Sequence, residues 1–209
     1  NHKVSIRLRM RQYNIDKIKM FDADIVKEKW RIYIINCEVR KIMEKKILHI
    51  LNTSSYSGAE NVAITIINNM NSDYECAYAS MDGLIRSVLD KNGITFLPIA
   101  KMSIREIKRI IAIYKPDIIH AHDFTASIVS SLSTSKIPII SHIHNNSPWI
   151  KTYHPYSFAY FLTAMKCKKI LGVSESVFSE YVFGRIIKNK SFVVSNPINI
   201  SVIKNNAKR

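Results

Sequence analysis

The 209-residue sequence holds only three cysteines, five glycines and six prolines. Cys37, Cys76 and Cys167 are odd in number and far apart, which excludes a disulfide framework and points to a reducing compartment. No apolar stretch reaches the roughly 18 residues of a membrane-spanning helix. The N-terminus is basic, but no apolar h-region follows it. No signal peptide is expected, and the protein is expected in the cytosol. Neither G-x-G-x-x-G nor a Walker loop occurs, so neither standard phosphate loop is available. Without a G-x-S-x-G elbow a hydrolase triad is disfavoured. Acidic residues are few: 16 against 31 Lys and Arg, for a net charge of +15. That balance invites a nucleic-acid reading. The surplus is spread out, however, with 13 basic against 6 acidic residues in 1–46 and 18 against 10 in 47–209. No zinc-finger or helix-turn-helix signature occurs, so no nucleic-acid partner is expected. A basic globular surface suits anionic lipid headgroups, in peripheral membrane contact, or phosphorylated ligands. General solvated charge accounts for it equally well.

What is present is an apolar fraction of 47%, enough for a globular domain with a sizeable core. The stretch 47–70 organises it. Ile47, Leu48, Ile50 and Leu51 read as a buried strand. A polar loop follows from Asn52 to Ser57. Ala59, Val62, Ala63, Ile66, Ile67 and Met70 then mark one face of a helix. Ser57 and Glu60 fit a capping box, so the helix is predicted to start at Gly58. Strand, small-residue loop and helix form a unit that can bind anions on free backbone N–H groups. Gly58 would let a ligand come close to the backbone. A plain βα turn with a good cap explains the same residues.

Residues 1–42 are charged and lack a sustained period, apart from a possible short strand at Arg31–Val39. Met43 stands where a start codon would be expected, so 1–42 reads as an appendage, the alternative being a basic membrane-facing arm. From Ile47 onward strands and helices alternate. Strands are predicted at Tyr74–Ser80, Ile94–Ile99, Asp117–Ala121, Ile137–Ile143, Lys169–Val173 and Ser191–Val194. Helices are predicted at Leu84–Asn92, around Ile104–Tyr114, and at Phe124–Leu132, His154–Lys166 and Glu175–Phe183. Gly93 ends one helix and Pro116 follows another. This order predicts an α/β fold with a Rossmann-like, doubly wound parallel sheet in one domain, residues 43–202, followed by a polar tail, 203–209.

Ligands in such sheets bind at the carboxyl ends of the strands. Five predicted strands end in polar residues: Thr53, Ser57 and Gly58; His122 and Asp123; His144, Asn145 and Asn146; Ser174 and Glu175; and Ser195, Asn196 and Pro197. That is unusual for a rim that merely faces water. His120 lies mid-strand and reads as a core histidine. His122 and Asp123 form an ion pair, a helix cap through Asp123, or a site. His142 and His144 share one side of their strand. A metal would need a third ligand, and no Cys or H-E-x-x-H partner stands nearby, so no metal is expected. Trp149, Tyr153 and Tyr156 are either an aromatic wall for a sugar or lipid or ordinary packing aromatics.

Taken together, these segments resemble the N-terminal domain of a family 4 glycosyltransferase of the GT-B fold. The resemblance rests on Ser57-Gly58-Ala59-Glu60, on PDIIHAHD at Pro116–Asp123, on IPIISHIHNN at Ile137–Asn146, on GVSES at Gly172–Ser176 and on SNPIN at Ser195–Asn199. It covers about residues 46–202. Ser57 stands where the family often has a first glycine. The resemblance implies a retaining, metal-independent enzyme with no cofactor beyond its nucleotide-sugar co-substrate. Two Rossmann-like domains would face a cleft, the first holding a glycan or lipid-linked acceptor and the second the nucleotide sugar. It assigns Ser57, Gly58 and Ala59 to a phosphate or acceptor loop and His144 to the active site beside the transferred sugar. It places His122, Asp123, Asn145, Ser174, Glu175 and Asn196 on the acceptor side. The donor domain is expected to lie beyond this chain, in cis or in trans, and the chain alone is expected not to catalyse transfer. Cell-surface polysaccharide synthesis at the inner membrane face suits its charge. The rival reading is a non-catalytic module that binds acceptor or membrane and recruits a donor-binding chain.

Overall fold

The computed structural model describes residues 45–70 and 74–195. The expectations for 1–42, Cys37, Asn196, Pro197, Asn199 and the tail lie outside these residues. Seven strands form one parallel sheet. They are β1 (Lys45–Leu51), β2 (Tyr74–Met81), β3 (Thr95–Ile99), β4 (Ile118–His122), β5 (Ile139–Ile143), β6 (Lys169–Gly172) and β7 (Ser191–Val193), in the order β3-β2-β1-β4-β5-β6-β7. Helices α1 (Gly58–Met70), α2 (Ile85–Lys91), α3 (Ile104–Tyr114), α4 (Phe124–Ser133) and α5 (Pro155–Lys166) alternate with the first six strands. This is the doubly wound α/β sheet that the alternation predicts.

Each helix has a local reason to start or stop where it does. Ser103 caps α3 by accepting from the Glu106 N–H, and α3 ends at Lys115, whose φ of 53° turns the chain ahead of Pro116. Gly93, with φ 63°, turns the chain after α2. Pro155 sits at the first position of α5, where its missing N–H costs nothing.

Alternation along the strands divides the core into two. Ile47, Leu51, Ile118 and Ile140 pack with Val62, Ala63, Ile66, Ile67 and Met70 of α1 and with Ile85 and Leu89 of α2. Leu48, Ile50, Ile119 and Ile139 pack on the other face with α3, α4 and α5, through Ile107, Ile110, Ala126 and Tyr160. Among the described residues no helix is long and apolar enough to cross a membrane.

One predicted helix is not continuous. Instead of Glu175–Phe183 there are two single turns, α6 (Ser176–Ser179) and α7 (Gly184–Ile187). The Val182 N–H leaves the helical path to donate to the Ile150 carbonyl, 2.9 Å away. The chain then folds back so tightly that a Cβ on Gly184 would stand 1.9 Å from the Phe178 carbonyl oxygen. Among the described residues β3 forms one sheet edge. Pro98 there brings no N–H, and its carbonyl accepts from Arg109 Nη2 at 2.9 Å.

Candidate active site at the carboxyl ends of β1, β4 and β5

The chain winds outward from β1 in both directions, to β2 and β3 on one side and to β4 and β5 on the other. Such a reversal opens a crevice at the carboxyl ends of the two strands that flank it, here β1 and β4. Histidines crowd this place. His49 of β1 pairs in register with His120 of β4, and His122 of β4 with His142 of β5. Residues in register on parallel strands share a face, as do residues two apart. His49, His120, His122, His142 and His144 therefore all lie on the sheet face covered by α1.

The five rings form one connected cluster. Nδ1 of His49 lies 3.0 Å from Nε2 of His122, and Nδ1 of His122 lies 3.1 Å from Nε2 of His144. The ring centroids of His120 and His122 are 4.0 Å apart, and those of His142 and His144 3.9 Å. His49, His120 and His142 are fully buried, and His144, at the strand end, is partly exposed. Burial pushes His49 down to about 3 and His144 to about 4. Burial, reinforced by the neighbouring imidazoles, holds His120, His122 and His142 well below the usual 6.5. All five are neutral at pH 7.

Neutral imidazole is also the metal-ligating form. Two sets, His49 with His120 and His122, and His122 with His142 and His144, bring ligand nitrogens within 4.8 Å of one another. The sequence argument that His142 and His144 lack a third ligand therefore does not hold. The register of β4 against β5 supplies His122, which no local motif announces. His49 was missed altogether: a lone histidine in an apolar strand gives no sign of which strand will lie beside it.

Asp123 is a helix cap and not an ion-pair partner of His122. Its Oδ1 accepts from the Ala126 N–H at 2.6 Å, and its Oδ2 from the Asn52 N–H at 3.2 Å. Its φ is 130°, a conformation rare outside glycine. Burial pushes its carboxyl up to about 6, against the pull of those backbone N–H groups.

At the start of α1 the capping box is half formed. The Ser57 N–H donates to Glu60 Oε2 at 2.8 Å, but the Ser57 hydroxyl donates to the same buried carboxylate. The hydroxyl thus does not cap the helix. A Cβ on Gly58 would meet nothing within 4 Å. Space is open above this helix end, and Ala59 is partly exposed beside it.

The remaining candidates make contacts of their own. Asn145 is exposed, while Asn146 donates to Glu180 Oε2 at 2.7 Å and to the Ser176 carbonyl at 3.2 Å. Ser174 bonds Ser176 through their hydroxyls at 2.7 Å, and Glu175 lines a hollow with Phe178, Arg185 and Lys188. Trp149 and Tyr156 line an apolar cleft of about 300 Å³ with Phe124 and Ile128. Tyr153 instead packs against Phe158 and Phe183.

This sheet, with its crevice, is one half of a GT-B glycosyltransferase fold. The structure of Alr3699/HepE from Anabaena in complex with UDP is similar over 77% of this chain and 46% of that one, at 14% identity and a TM-score of 0.63. A glycosyltransferase from Rickettsia africae is similar over 80% and 50%, at 18% identity and a TM-score of 0.55. The lipopolysaccharide outer core galactosyltransferase WaaB, in its apo form, is similar over 74% and 46%, at 18% identity and a TM-score of 0.58. The chain thus spans about half the length of these proteins. Identities this low speak to fold alone. No curated protein sequence matches. The pattern of glycosyltransferase family 4 matches residues 49–202, and the chain belongs to that family.

Proposed function

We propose that this chain is the acceptor-binding half of a retaining glycosyltransferase. It works with a donor-binding half, supplied in cis or in trans, to move a sugar from a nucleotide sugar to a glycan or lipid-linked acceptor. The observation that carries the reading is the position of His144. In a family 4 domain, it reaches the surface at the carboxyl edge from within a cluster of neutral imidazoles.

Further features support it. The open start of α1 leaves backbone N–H groups to meet charge developing on a leaving diphosphate. The cleft of Phe124, Trp149 and Tyr156 suits the apolar face of a sugar or a lipid-linked group. The Anabaena protein is described in complex with UDP and with UDP-glucose, which makes uridine diphosphate sugars the first donors to try. WaaB is a lipopolysaccharide outer core galactosyltransferase, which favours a role in cell-surface polysaccharide synthesis. The basic surface suits peripheral contact with the anionic inner face of a membrane. No metal takes part in this reading.

The test is sugar-nucleotide turnover by the chain, alone and joined to a donor-binding half. Activity is expected only with both, because catalysis needs groups from both walls of the cleft. His144→Ala should abolish it and leave the fold intact. No turnover across a broad donor and acceptor panel would favour a binding module that recruits a donor-binding chain.

A further inference from the structure

We infer that His49 and His122 are positioning residues that hold the imidazole of His144 in its Nδ1–H tautomer, with that N–H as a hydrogen-bond donor for a ligand oxygen. The role of that donor rests on the glycosyltransferase reading. The tautomer itself is a property of the chain.

A neutral imidazole carries one N–H and one lone pair. His122 uses both nitrogens, Nε2 towards His49 Nδ1 at 3.0 Å and Nδ1 towards His144 Nε2 at 3.1 Å. It must donate on one side and accept on the other. If His49 donates from Nδ1, then His122 donates from Nδ1 to His144, and the proton of His144 sits on Nδ1. If the chain runs the other way, all three carry their proton on Nε2. Any mixture sets two N–H groups or two lone pairs face to face. The three rings therefore share one tautomer. Burial excludes the charged forms, and the carboxylate of Asp123 is committed to the N–H groups of Asn52 and Ala126.

The ends of the chain decide its direction. Nε2 of His49 and Nδ1 of His144 are shielded and have no hydrogen-bond partner among the described residues. Each arrangement leaves one unmet N–H at one end and one unmet lone pair at the other. An unmet N–H is the costlier of the two in a dry interior. The all-Nε2 form would place it on His49, which is 0% exposed under α1. The all-Nδ1 form places it on His144, the partly exposed ring at the strand end, where water or a ligand is nearest. A hydroxyl or phosphate oxygen satisfies it. In this state His144 cannot serve as a base at Nδ1.

A metal ion is the competing occupant, since both three-imidazole sets include His122. Either set would take a lone pair from His122 and break one of its two hydrogen bonds.

The experiment is a two-bond proton–nitrogen correlation spectrum of the 209-residue chain, labelled with nitrogen-15 histidine, at neutral pH. Signals are assigned by replacing His49, His122 and His144 in turn. All three should show the proton on Nδ1, against the Nε2 preference of free neutral imidazole. His122→Leu should return His144 to the Nε2–H form. His122→Asn, whose amide N–H can stand in for Nδ1–H, should keep the Nδ1–H form. A wild-type His144 protonated on Nε2 overturns the inference. So does a folded His122→Leu variant with His144 unchanged, or metal-shifted nitrogens that revert on chelation. If His122→Leu does not fold, the wild type and His122→Asn decide. None of these readings depends on transfer activity, so failure of the enzymatic reading is seen separately in the turnover assay.

Discussion

Asp123 at the end of β4 holds Asn52 at the end of β1: its carboxylate Oδ2 accepts the Asn52 backbone N–H at 3.2 Å. The other carboxylate oxygen caps α4. One side chain thus ties together the two loops that flank the crevice, and holds its own backbone at φ 130° while doing so. Asp123→Ala should lower stability by about 1–2 kcal/mol, the usual cost of a lost cap. Asp123→Asn, which keeps one acceptor oxygen, should recover part of it. The midpoint of urea unfolding measures both. An alanine variant within about 0.5 kcal/mol of wild type would show that the cap contributes little.

Acid should unfold this protein early. Each buried imidazole binds a proton in the unfolded chain below pH 6.5 but stays neutral when folded, down to about 3 for His49 and about 4 for His144. The unfolded state then holds more protons, so stability rises with pH through this window and is lost as pH falls. Each imidazole adds about 1.4 kcal/mol per pH unit to that slope. Asp123 opposes it: with its carboxyl raised to about 6, the folded state holds the extra proton between about pH 4 and 6. Five groups against one leaves a net loss on acidification. Denaturant midpoints between pH 7 and 5 should fall steeply, and less steeply in His49→Leu. A flat profile would contradict the neutral cluster.

Two glycines should respond in opposite ways. Gly58 has open space where a Cβ would sit, whereas a Cβ on Gly184 would collide with the Phe178 carbonyl at 1.9 Å. Gly184→Ala should cost about 1–3 kcal/mol, as backbone overpacking does. Gly58→Val should leave thermal stability nearly unchanged and weaken binding of a nucleotide-sugar probe to the chain joined to a donor-binding half. Unchanged binding by that variant returns the loop to a simple turn.

On the face opposite the imidazoles, Ser127 Oγ meets Ser141 Oγ at 2.7 Å, and Ser141 meets the Tyr160 hydroxyl at 2.9 Å. Tyr160→Phe removes one buried hydrogen bond and should cost about 1 kcal/mol. It should leave the turnover proposed for the chain joined to a donor-binding half unaltered, because the sheet separates Tyr160 from His144.

The alternation of strand and helix was legible because each element carries its own period: Val62, Ile66 and Met70 on α1, or Ile107, Ile110 and Tyr114 on α3. Ends were legible where Gly93, Pro116 and Asp123 mark them. The break at Gly184 was not, because its cause is a carbonyl that approaches only after folding. The histidine cluster was half legible. HAH and HIH state that His120 and His122, and His142 and His144, share a face; they say nothing of which strands adjoin. Register brought His122 to His142, and the switch point brought in His49. Pairings between strands tens of residues apart are set by the whole sheet, and no local pattern encodes them.

The proline in β3 has a consequence for life in a crowded solution. An exposed sheet edge invites another chain to add a strand, and growth of that kind ends in aggregates. At Pro98 there is no N–H to offer, and the carbonyl is already taken by Arg109. A newcomer aligning along β3 meets a gap midway through a five-residue strand. At the far side, among the described residues, β7 has three residues. Among the described residues the sheet is guarded at one margin by chemistry and at the other by brevity, so its edges are poor templates for strand addition by copies of this chain.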